Sequence, residues 1–158
     1  MSDKMIMSVE KTCAFTGHRE LSEKVDIEFL DRIIIELIEE GYDRFLCGMA
    51  RGFDLIAARE ILKLKEKYTE IKLIAYVPCP GQEKYYPPEE KKKYGEVINK
   101  CNEIKTVSSY YFKGCMQLRD RLLVDDSSAI IAYRRQNAGG THYTLTYAAK
   151  NDKRIFMI

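Results

Sequence analysis

Hydrophobic positions along the chain follow two alternating periods, one typical of strands and one typical of helices. After Asp26, apolar residues recur at three- and four-residue spacing up to Gly41, which predicts an amphipathic helix. The apolar run IKLIAYVP, which stops at Pro78, predicts a buried strand. By the same criteria we predict further strands in KTCAFTG, DRFLCG, EIKTVS, SSAIIAY and RIFMI, and further helices in FDLIAAREILKLKEKY, in the charged segment from about Glu89 to Cys101, in MQLRDRLLVDD and in THYTLTYAAKN.

The order of these elements predicts the fold class. Strands that are separated by helix-length segments are joined by right-handed crossovers, which build a mainly parallel sheet covered on both faces. We therefore predict an α/β fold, a Rossmann-like three-layer sandwich around a mainly parallel sheet of about six strands. The length of 158 residues and the lack of a composition shift predict a single domain over residues 1–158.

Composition and charge narrow the possible functions. The chain carries 26 basic and 24 acidic side chains, so no global field attracts nucleic acid or membranes. No apolar stretch is long enough to cross a membrane, and residues 1–11 show no targeting segment, so we expect a cytoplasmic protein. The five cysteines lie far apart without a CxxC pair, which favours buried, reduced thiols. A zinc site built from Cys13, Cys47, Cys79 and His18 is the alternative, but structural zinc ligands usually come in close pairs, so we predict no metal.

The residues that follow the predicted strands carry the candidate chemistry. In open parallel sheets, ligands bind beyond the carboxyl ends of the strands, near the point where the strand order reverses. The segments in that position are residues 16–19, 48–54, 78–86 and 139–141. Three of them combine glycine with side chains that donate hydrogen bonds. Each segment alone is typical of an ordinary turn, but together they predict a ligand site.

A phosphate group suits these segments. A helix amino terminus offers unpaired N–H groups and the positive end of the helix dipole, and glycine lets an anion approach without a Cβ atom in the way. Arg19 and Arg51 add charge-assisted donors, and the Thr141 hydroxyl either binds phosphate or caps its helix. His18 is either a ligand donor or acid–base group, or a residue that shapes the turn. Asp54 either binds ribose hydroxyls or only stabilises the helix dipole.

Five segments, in order along the chain, resemble one known superfamily. They are AFTGHR, CGMARGFDLIAA, PCPGQEKYY, LRDRLLVDDSSAIIAYRR and AGGTHYTLTYAAK, and they extend from about residue 12 towards the end of the chain. The set resembles the SLOG superfamily (Smf/DprA–LOG), and within it the YpsA-like branch of uncharacterised bacterial proteins. GMARGFDLIAA is also similar to a segment of the DNA-processing protein DprA. The resemblance implies a Rossmann-like sheet that binds a nucleotide or a nucleotide-derived ligand, such as an ADP-ribose-like molecule or a nucleotide sugar. We predict no cofactor.

Carried over by position, the resemblance assigns the site residues. The candidate ligand-binding residues are Thr16, Gly17, His18, Arg19, Gly48, Arg51, Gly52, Asp54, Gln82, Gly139, Gly140 and Thr141. Glu83, together with Gln82, is expected to close over the ligand. Tyr85 or Tyr86 is expected to stack on its base, unless these rings only pack in the core or shape a turn. The arginine pair at 134–135, beside the glycine loop, is a further candidate for contact with phosphate.

One departure from the family pattern bears on catalysis. The phosphoribohydrolases of this superfamily carry a PGGxGTxxE pattern whose glutamate takes part in cleaving the N-glycosidic bond, and this chain has Thr144 in its place. Threonine cannot act as a carboxylate acid or base. We therefore expect a ligand-binding sensor or regulatory protein. The alternative is a nucleotide N-glycosidic hydrolase that uses Asp54 or Glu83 as its carboxylate.

Nucleic acid is not an expected partner. The lysines at 91–93 lie among acidic residues and the net charge is only +2, whereas DNA binding needs a concentrated basic surface. A single-stranded DNA binder of the DprA type is therefore our third hypothesis. We expect a small nucleotide derivative as the partner and no contact with membranes. Because related folds often pair, a homodimer is the oligomeric state to test.

Overall fold

Strands and helices alternate along the part of the chain that the computed structural model describes, residues 9–158. Within that range the strands are β1 Thr12–Gly17, β2 Arg44–Cys47, β3 Lys72–Val77, β4 Glu103–Thr106, β5 Ala129–Tyr133 and β6 Arg154–Met157. The helices between them are α1 Ile27–Glu39, α2 Phe53–Lys65, α3 Pro88–Lys100, α4 Cys115–Asp125 and α5 Gly139–Lys150, and a short 3-10 helix covers Gln82–Tyr85. Every predicted strand and helix is present.

The strands of the described range form one parallel sheet in the order β4-β3-β2-β1-β5-β6. β1 lies near its middle, where Cys13 is paired with Phe45 of β2 on one side and with Ala129 of β5 on the other. The chain proceeds outward from β1 to β4 and then returns to β5 on the other side of β1. The strand order therefore reverses between β1 and β5, which is where ligands bind in open sheets of this kind.

Helices cover both faces of the sheet. On one face, Leu30 of α1 and Phe53 of α2 share a core cluster with Phe15 of β1. On the other face, Leu145 of α5 belongs to a second cluster with Ala14, the neighbour of Phe15 in the strand. Successive residues of a strand point to opposite faces, so β1 contributes to both cores. This arrangement confirms the predicted α/β fold, a Rossmann-like three-layer sandwich around a parallel sheet.

The cysteines are free thiols, and four of the five are buried. Burial raises the pKa of Cys47 and of Cys79. Over residues 9–158, the histidine, cysteine and acidic side chains form no group of three that could hold a metal ion. None of the helices in this part of the chain is both long and apolar enough to cross a membrane. The expectation about a targeting segment concerns mainly residues 1–8, which lie outside the described range.

Candidate functional site

The loops that follow β1, β2 and β5 meet at one cleft beside the reversal of strand order. The cleft has a volume of about 280 Å³ and is lined by Phe15, Thr16, Gly17, His18, Arg19, Glu20, Ala50, Asp54, Arg119, Asp120, Leu123, Gln136, Ala138, Gly139, Gly140 and Thr141. Of the predicted ligand-binding residues, it brings together Thr16, Gly17, His18, Arg19, Asp54, Gly139, Gly140 and Thr141. Gly48, Arg51, Gly52 and Gln82 lie outside its lining. Contact with a ligand stays a prediction for all of these residues.

The first turn of α5 forms an open wall of the cleft. The helix begins at Gly139, and the N-cap residue Ala138 makes no side-chain hydrogen bond to it. Thr141 is therefore inside the helix and does not cap it. Gly139 has a φ of +82°, and a Cβ atom there would meet no atom of the described residues within 4 Å. A Cβ at Gly140 would meet, outside its own helix, only the Asp120 carboxylate at 3.8 Å. The N–H groups of this helix start thus border a space that an anion can enter.

Three other glycines of these loops are required by packing. A Cβ atom at Gly17 would overlap the first side chain of α2. Gly52 has a φ of +83°, and its Cβ would lie 2.5 Å from the carbonyl oxygen of Arg19, because the loops after β1 and β2 touch through their backbones. At Gly48 a Cβ would press on the Arg119 guanidinium at 3.0 Å. These glycines hold the loops together and so position the cleft.

His18 lies in the cleft as a neutral imidazole. Its Nε2 accepts a hydrogen bond from the Arg135 backbone N–H at 2.8 Å, and its ring meets the Tyr133 ring edge-on at 5.9 Å. Burial lowers the pKa of His18, and the positive charges of Arg135 and Arg134 lower it further. Because Nε2 is an acceptor, the ring proton lies on Nδ1, which makes Nδ1–H a donor.

The arginines predicted to bind phosphate differ in their surroundings. Arg19 is exposed and lines the cleft. Arg51 lies outside the lining, where its Nη2 forms an ion pair with Glu20 Oε1 at 2.5 Å. The pair at 134–135 also lies outside the lining, and Arg135 donates to the Ile158 carbonyl oxygen at 2.9 Å. Arg19 is therefore the arginine from the predicted set that the cleft itself presents.

Asp54, in the first turn of α2, is a buried carboxyl group on the cleft wall. It is 5% exposed, and its Oδ2 accepts a hydrogen bond from the Ala50 N–H at 3.2 Å. Its Oδ1 has no hydrogen-bond partner among residues 9–158. Burial raises the pKa of Asp54 to about 7, while Arg119 and the Ala50 N–H oppose the rise and Asp120 adds to it. The group is therefore partly protonated near neutral pH, and its Oδ1 is a buried acceptor that no described residue satisfies.

Three residues of α4, Arg119, Asp120 and Leu123, line the cleft although sequence analysis did not assign them to it. Arg119 is 4% exposed and donates to carbonyl oxygens at the ends of β2 and β3 and to the Asp120 carboxylate. Burial raises the pKa of Asp120, and the Arg119 charge opposes that rise. A signal for the placement of Arg119 was present, because Cys115, Arg119 and Leu123 recur at four-residue spacing on one buried helix face.

The loop after β3 supports the cleft from outside. Gln82 and Tyr86 each donate from the side chain to a main-chain carbonyl of the loop after β2, both at 2.9 Å. The Tyr86 ring packs edge-on against Tyr94 at a centroid distance of 6.0 Å. This favours the core-packing interpretation of Tyr86 over the stacking one. Glu83 and Tyr85 belong to the 3-10 helix and lie outside the cleft lining.

Comparisons with known proteins place the chain among bacterial relatives. The model of the YspA SLOG family matches residues 13–158. The UPF0398 protein BH1768 from Halalkalibacterium halodurans is 28% identical over 123 residues, which are 76% of this chain and 65% of that protein. The uncharacterized SPbeta prophage-derived protein YoqJ from Bacillus subtilis is 33% identical over 131 residues, 75% of this chain and 77% of the relative. The chain thus spans less than two thirds of the length of the first of these relatives.

Two solved structures share the fold. DNA processing protein A from Helicobacter pylori, which has a single-stranded DNA binding mode, matches with a TM-score of 0.67 over 98% of this chain and 67% of its own, at 22% identity. DprA from Streptococcus pneumoniae matches with a TM-score of 0.65 over 94% of this chain and 50% of its own, at 18% identity. At these identities the likeness shows the fold alone. The family match, however, covers nearly the whole chain, and it confirms what the motifs predicted: the chain belongs to the YspA SLOG family.

Proposed function

We propose that the cleft binds a phosphorylated nucleotide or a nucleotide-derived molecule, and that the protein is a ligand-binding sensor or regulator. The observation that carries the proposal is the start of α5, which has no side-chain cap and lines the cleft with Gly139 and Gly140. Such a helix start favours phosphate through its N–H groups and its dipole. Arg19, exposed in the same cleft, adds a charge-assisted donor.

Asp54 and His18 support a ribose beside the phosphate. The Oδ1 atom of Asp54 is a buried acceptor without a partner in the described range, and ribose hydroxyls are donors that carboxylates bind in related α/β folds. The Nδ1–H of His18 is a donor for a ligand oxygen. The cleft therefore offers donors for phosphate together with an acceptor for hydroxyl groups. This combination suits a nucleotide better than inorganic phosphate.

Calorimetric titration with AMP and with ADP-ribose tests the proposal. We expect wild-type protein to bind at least one of them and Arg19→Ala to lose roughly tenfold or more in affinity. Arg32→Ala is the matched control, because Arg32 is exposed on α1 and does not line the cleft. Both variants should keep the wild-type melting temperature. An equal loss in the two variants, or no binding of either nucleotide by wild type, would contradict the proposal.

Cleavage of an N-glycosidic bond is the second candidate function. Asp54 favours it, because a carboxyl group with a pKa of about 7 can hold or release a proton near neutral pH. Thr144, at the position of the family's glutamate, donates its hydroxyl to the Gly140 carbonyl oxygen at 2.9 Å and lies near Asp120, so α4 brings another carboxylate close to that position. Glu83 lies outside the cleft lining. Incubation with AMP and chromatography for free adenine, with Asp54→Asn as the control, separates hydrolysis from binding alone.

Single-stranded DNA also needs a direct test. DNA processing protein A from Helicobacter pylori shares the fold and has a single-stranded DNA binding mode, which calls our expectation of no nucleic-acid partner into question. The net charge of +2 argues against tight binding of a phosphate backbone. Fluorescence anisotropy with a labelled oligonucleotide at low and high salt measures it. Salt-dependent binding that is tighter than binding of AMP would favour the DNA hypothesis.

A further inference from the structure

A second hollow lies beside the cleft. It has a volume of about 440 Å³, and it shares Arg19, Arg119, Asp120, Gly139 and Gly140 with the cleft lining. Because these residues line both spaces, the two adjoin each other. The rest of its wall comes from residues 111–114, which precede α4, from residues 115–117 in the first turn of α4, and from Tyr143 of α5. We call this space the side hollow. The start of α5 borders both spaces through its two glycines.

Aromatic rings concentrate at the side hollow and the loop beside it. Tyr110 and Tyr111 are 67% and 69% exposed, and the Phe112 ring lies 6.0 Å from that of Tyr110. Tyr143 is exposed as well, and its hydroxyl accepts a hydrogen bond from Arg121 at 2.8 Å. Seven large hydrophobic side chains are exposed over residues 9–158, and three of them belong to this group. Clustered exposed rings of this kind are typical of a surface that binds a ligand or a partner molecule.

We propose that the side hollow is a base-binding subsite, in which Tyr111, Phe112 and Tyr143 hold the nucleobase of the ligand. The inference rests on the proposed function and assigns the place where the base of that nucleotide is bound. An aromatic face stacks on any nucleobase, and the energy of stacking is nearly independent of the base. The hydrogen bond from Arg121 restrains Tyr143, so less rotamer freedom is lost when a base is bound.

Two observations favour the base of a small nucleotide over a DNA strand. The helix start proposed to bind phosphate lines the side hollow as well as the cleft, so the phosphate and the base of one small molecule are close enough to occupy the two spaces together. Asp120 lines both spaces, and its carboxylate accepts hydrogen bonds from ribose hydroxyls or from a base amino group. The loop before α4 takes over the stacking role expected of Tyr86, whose ring is packed against Tyr94.

Calorimetry with AMP and with ribose 5-phosphate, which lacks the base, tests this subsite. Tyr111→Ala should weaken AMP binding by roughly five- to a hundredfold and leave ribose 5-phosphate binding unchanged. Tyr111→Phe keeps the ring and should match wild type. Tyr85→Ala is the surface control, because Tyr85 is 88% exposed on the 3-10 helix outside both spaces. The chain has no tryptophan, so tyrosine fluorescence gives a second readout: AMP should quench it more than ribose 5-phosphate.

The outcomes separate this inference from the proposed function. If wild type binds neither compound, both proposals fail. If it binds both compounds and Tyr111→Ala leaves both affinities unchanged, the phosphate site stands and the base subsite is wrong. If Tyr111→Ala weakens binding of a labelled oligonucleotide but not of AMP, the loop belongs to a DNA surface and the inference is overturned. Tyr111 is exposed, so an unchanged melting temperature is expected and confirms that the variant is folded.

Discussion

Replacement of Asp54 by asparagine should stabilise the protein progressively as the pH rises, because the ionised carboxylate is buried. Burial raises the pKa of Asp54 from 3.8 to about 7. Since the folded pKa lies above the unfolded one, the folded state keeps a proton that the unfolded state has lost, and stability falls as the pH rises from about 4 to about 7. A shift of about 3 pH units corresponds to about 4 kcal/mol, of which roughly 2 to 3 kcal/mol falls between pH 5 and pH 8.

Asparagine removes the charge with little change in shape. Its carbonyl oxygen can still accept the hydrogen bond from the Ala50 N–H. Its amide group, in place of Oδ1, finds no partner among the described residues, which destabilises the fold by about 1–3 kcal/mol at every pH. The informative quantity is therefore how the difference in unfolding free energy between variant and wild type changes with pH.

Urea unfolding followed by far-ultraviolet circular dichroism measures this quantity, and suits a chain without tryptophan. Relative to wild type, Asp54→Asn should gain roughly 2 to 3 kcal/mol in unfolding free energy between pH 5 and pH 8. Glu39→Gln, which changes an exposed carboxylate on α1, should show no such gain. A constant difference between Asp54→Asn and wild type across this range would refute the reasoning, because Asp54 would then ionise alike in the folded and unfolded chains.

The remaining predictions concern the cleft wall and its supports. Gly140→Val should abolish AMP binding in calorimetry with little change in melting temperature, because a Cβ atom there points into the cleft and, outside its own helix, touches only the Asp120 carboxylate at 3.8 Å; retained affinity would contradict the placement of the phosphate. Gly52→Ala should instead lower the unfolding free energy by roughly 2 kcal/mol or more, since its φ is +83° and its Cβ would lie 2.5 Å from a carbonyl oxygen. Arg119→Met should lower the unfolding free energy by about 3–5 kcal/mol in urea titrations, because the Asp120 carboxylate and the Gly48 carbonyl oxygen would lose their buried donor; an unchanged free energy would show that this buried ion pair does not stabilise the fold. Tyr86→Phe should lose about 1 kcal/mol with its hydrogen bond to Met49 and keep wild-type affinity for AMP; weaker binding would restore Tyr86 to the ligand site.

The fold could be predicted because the central strands are covered on both faces. Strands such as β3 and β5 therefore appear as nearly continuous apolar runs in the sequence. Helix α1 shows a single apolar face, which is buried against the sheet. Boundaries that depend on an unusual backbone angle were harder to place. The start of α5 at Gly139 depends on a φ of +82°, and in the sequence Thr141 is the more obvious first helical residue.

The candidate site could be predicted only in part, because the residues of a loop do not indicate which side chains from other elements pack against it. Gly17 and Gly140 look equivalent in the sequence, yet a Cβ atom at Gly17 would overlap an aromatic side chain, whereas one at Gly140 would only touch the Asp120 carboxylate at 3.8 Å. Arg19 and Arg51 both follow strands, but only Arg19 lines the cleft, whereas Arg51 is paired with Glu20. Parallel topology did predict that the loops after β1, β2 and β5 come together.

The guanidinium of Arg119 connects the ends of two strands with α4, and this has a consequence for how the family can diversify. A substitution of Arg119 removes several hydrogen bonds to backbone carbonyls at once, so we expect it to be tolerated only together with substitutions that replace those bonds. The rings at 110–112 lie on a connecting loop, and two of them are exposed, so their replacement disturbs few contacts that stabilise the fold. We expect descendants of this scaffold to acquire new ligand preferences by exchanging those rings while the guanidinium stays in place.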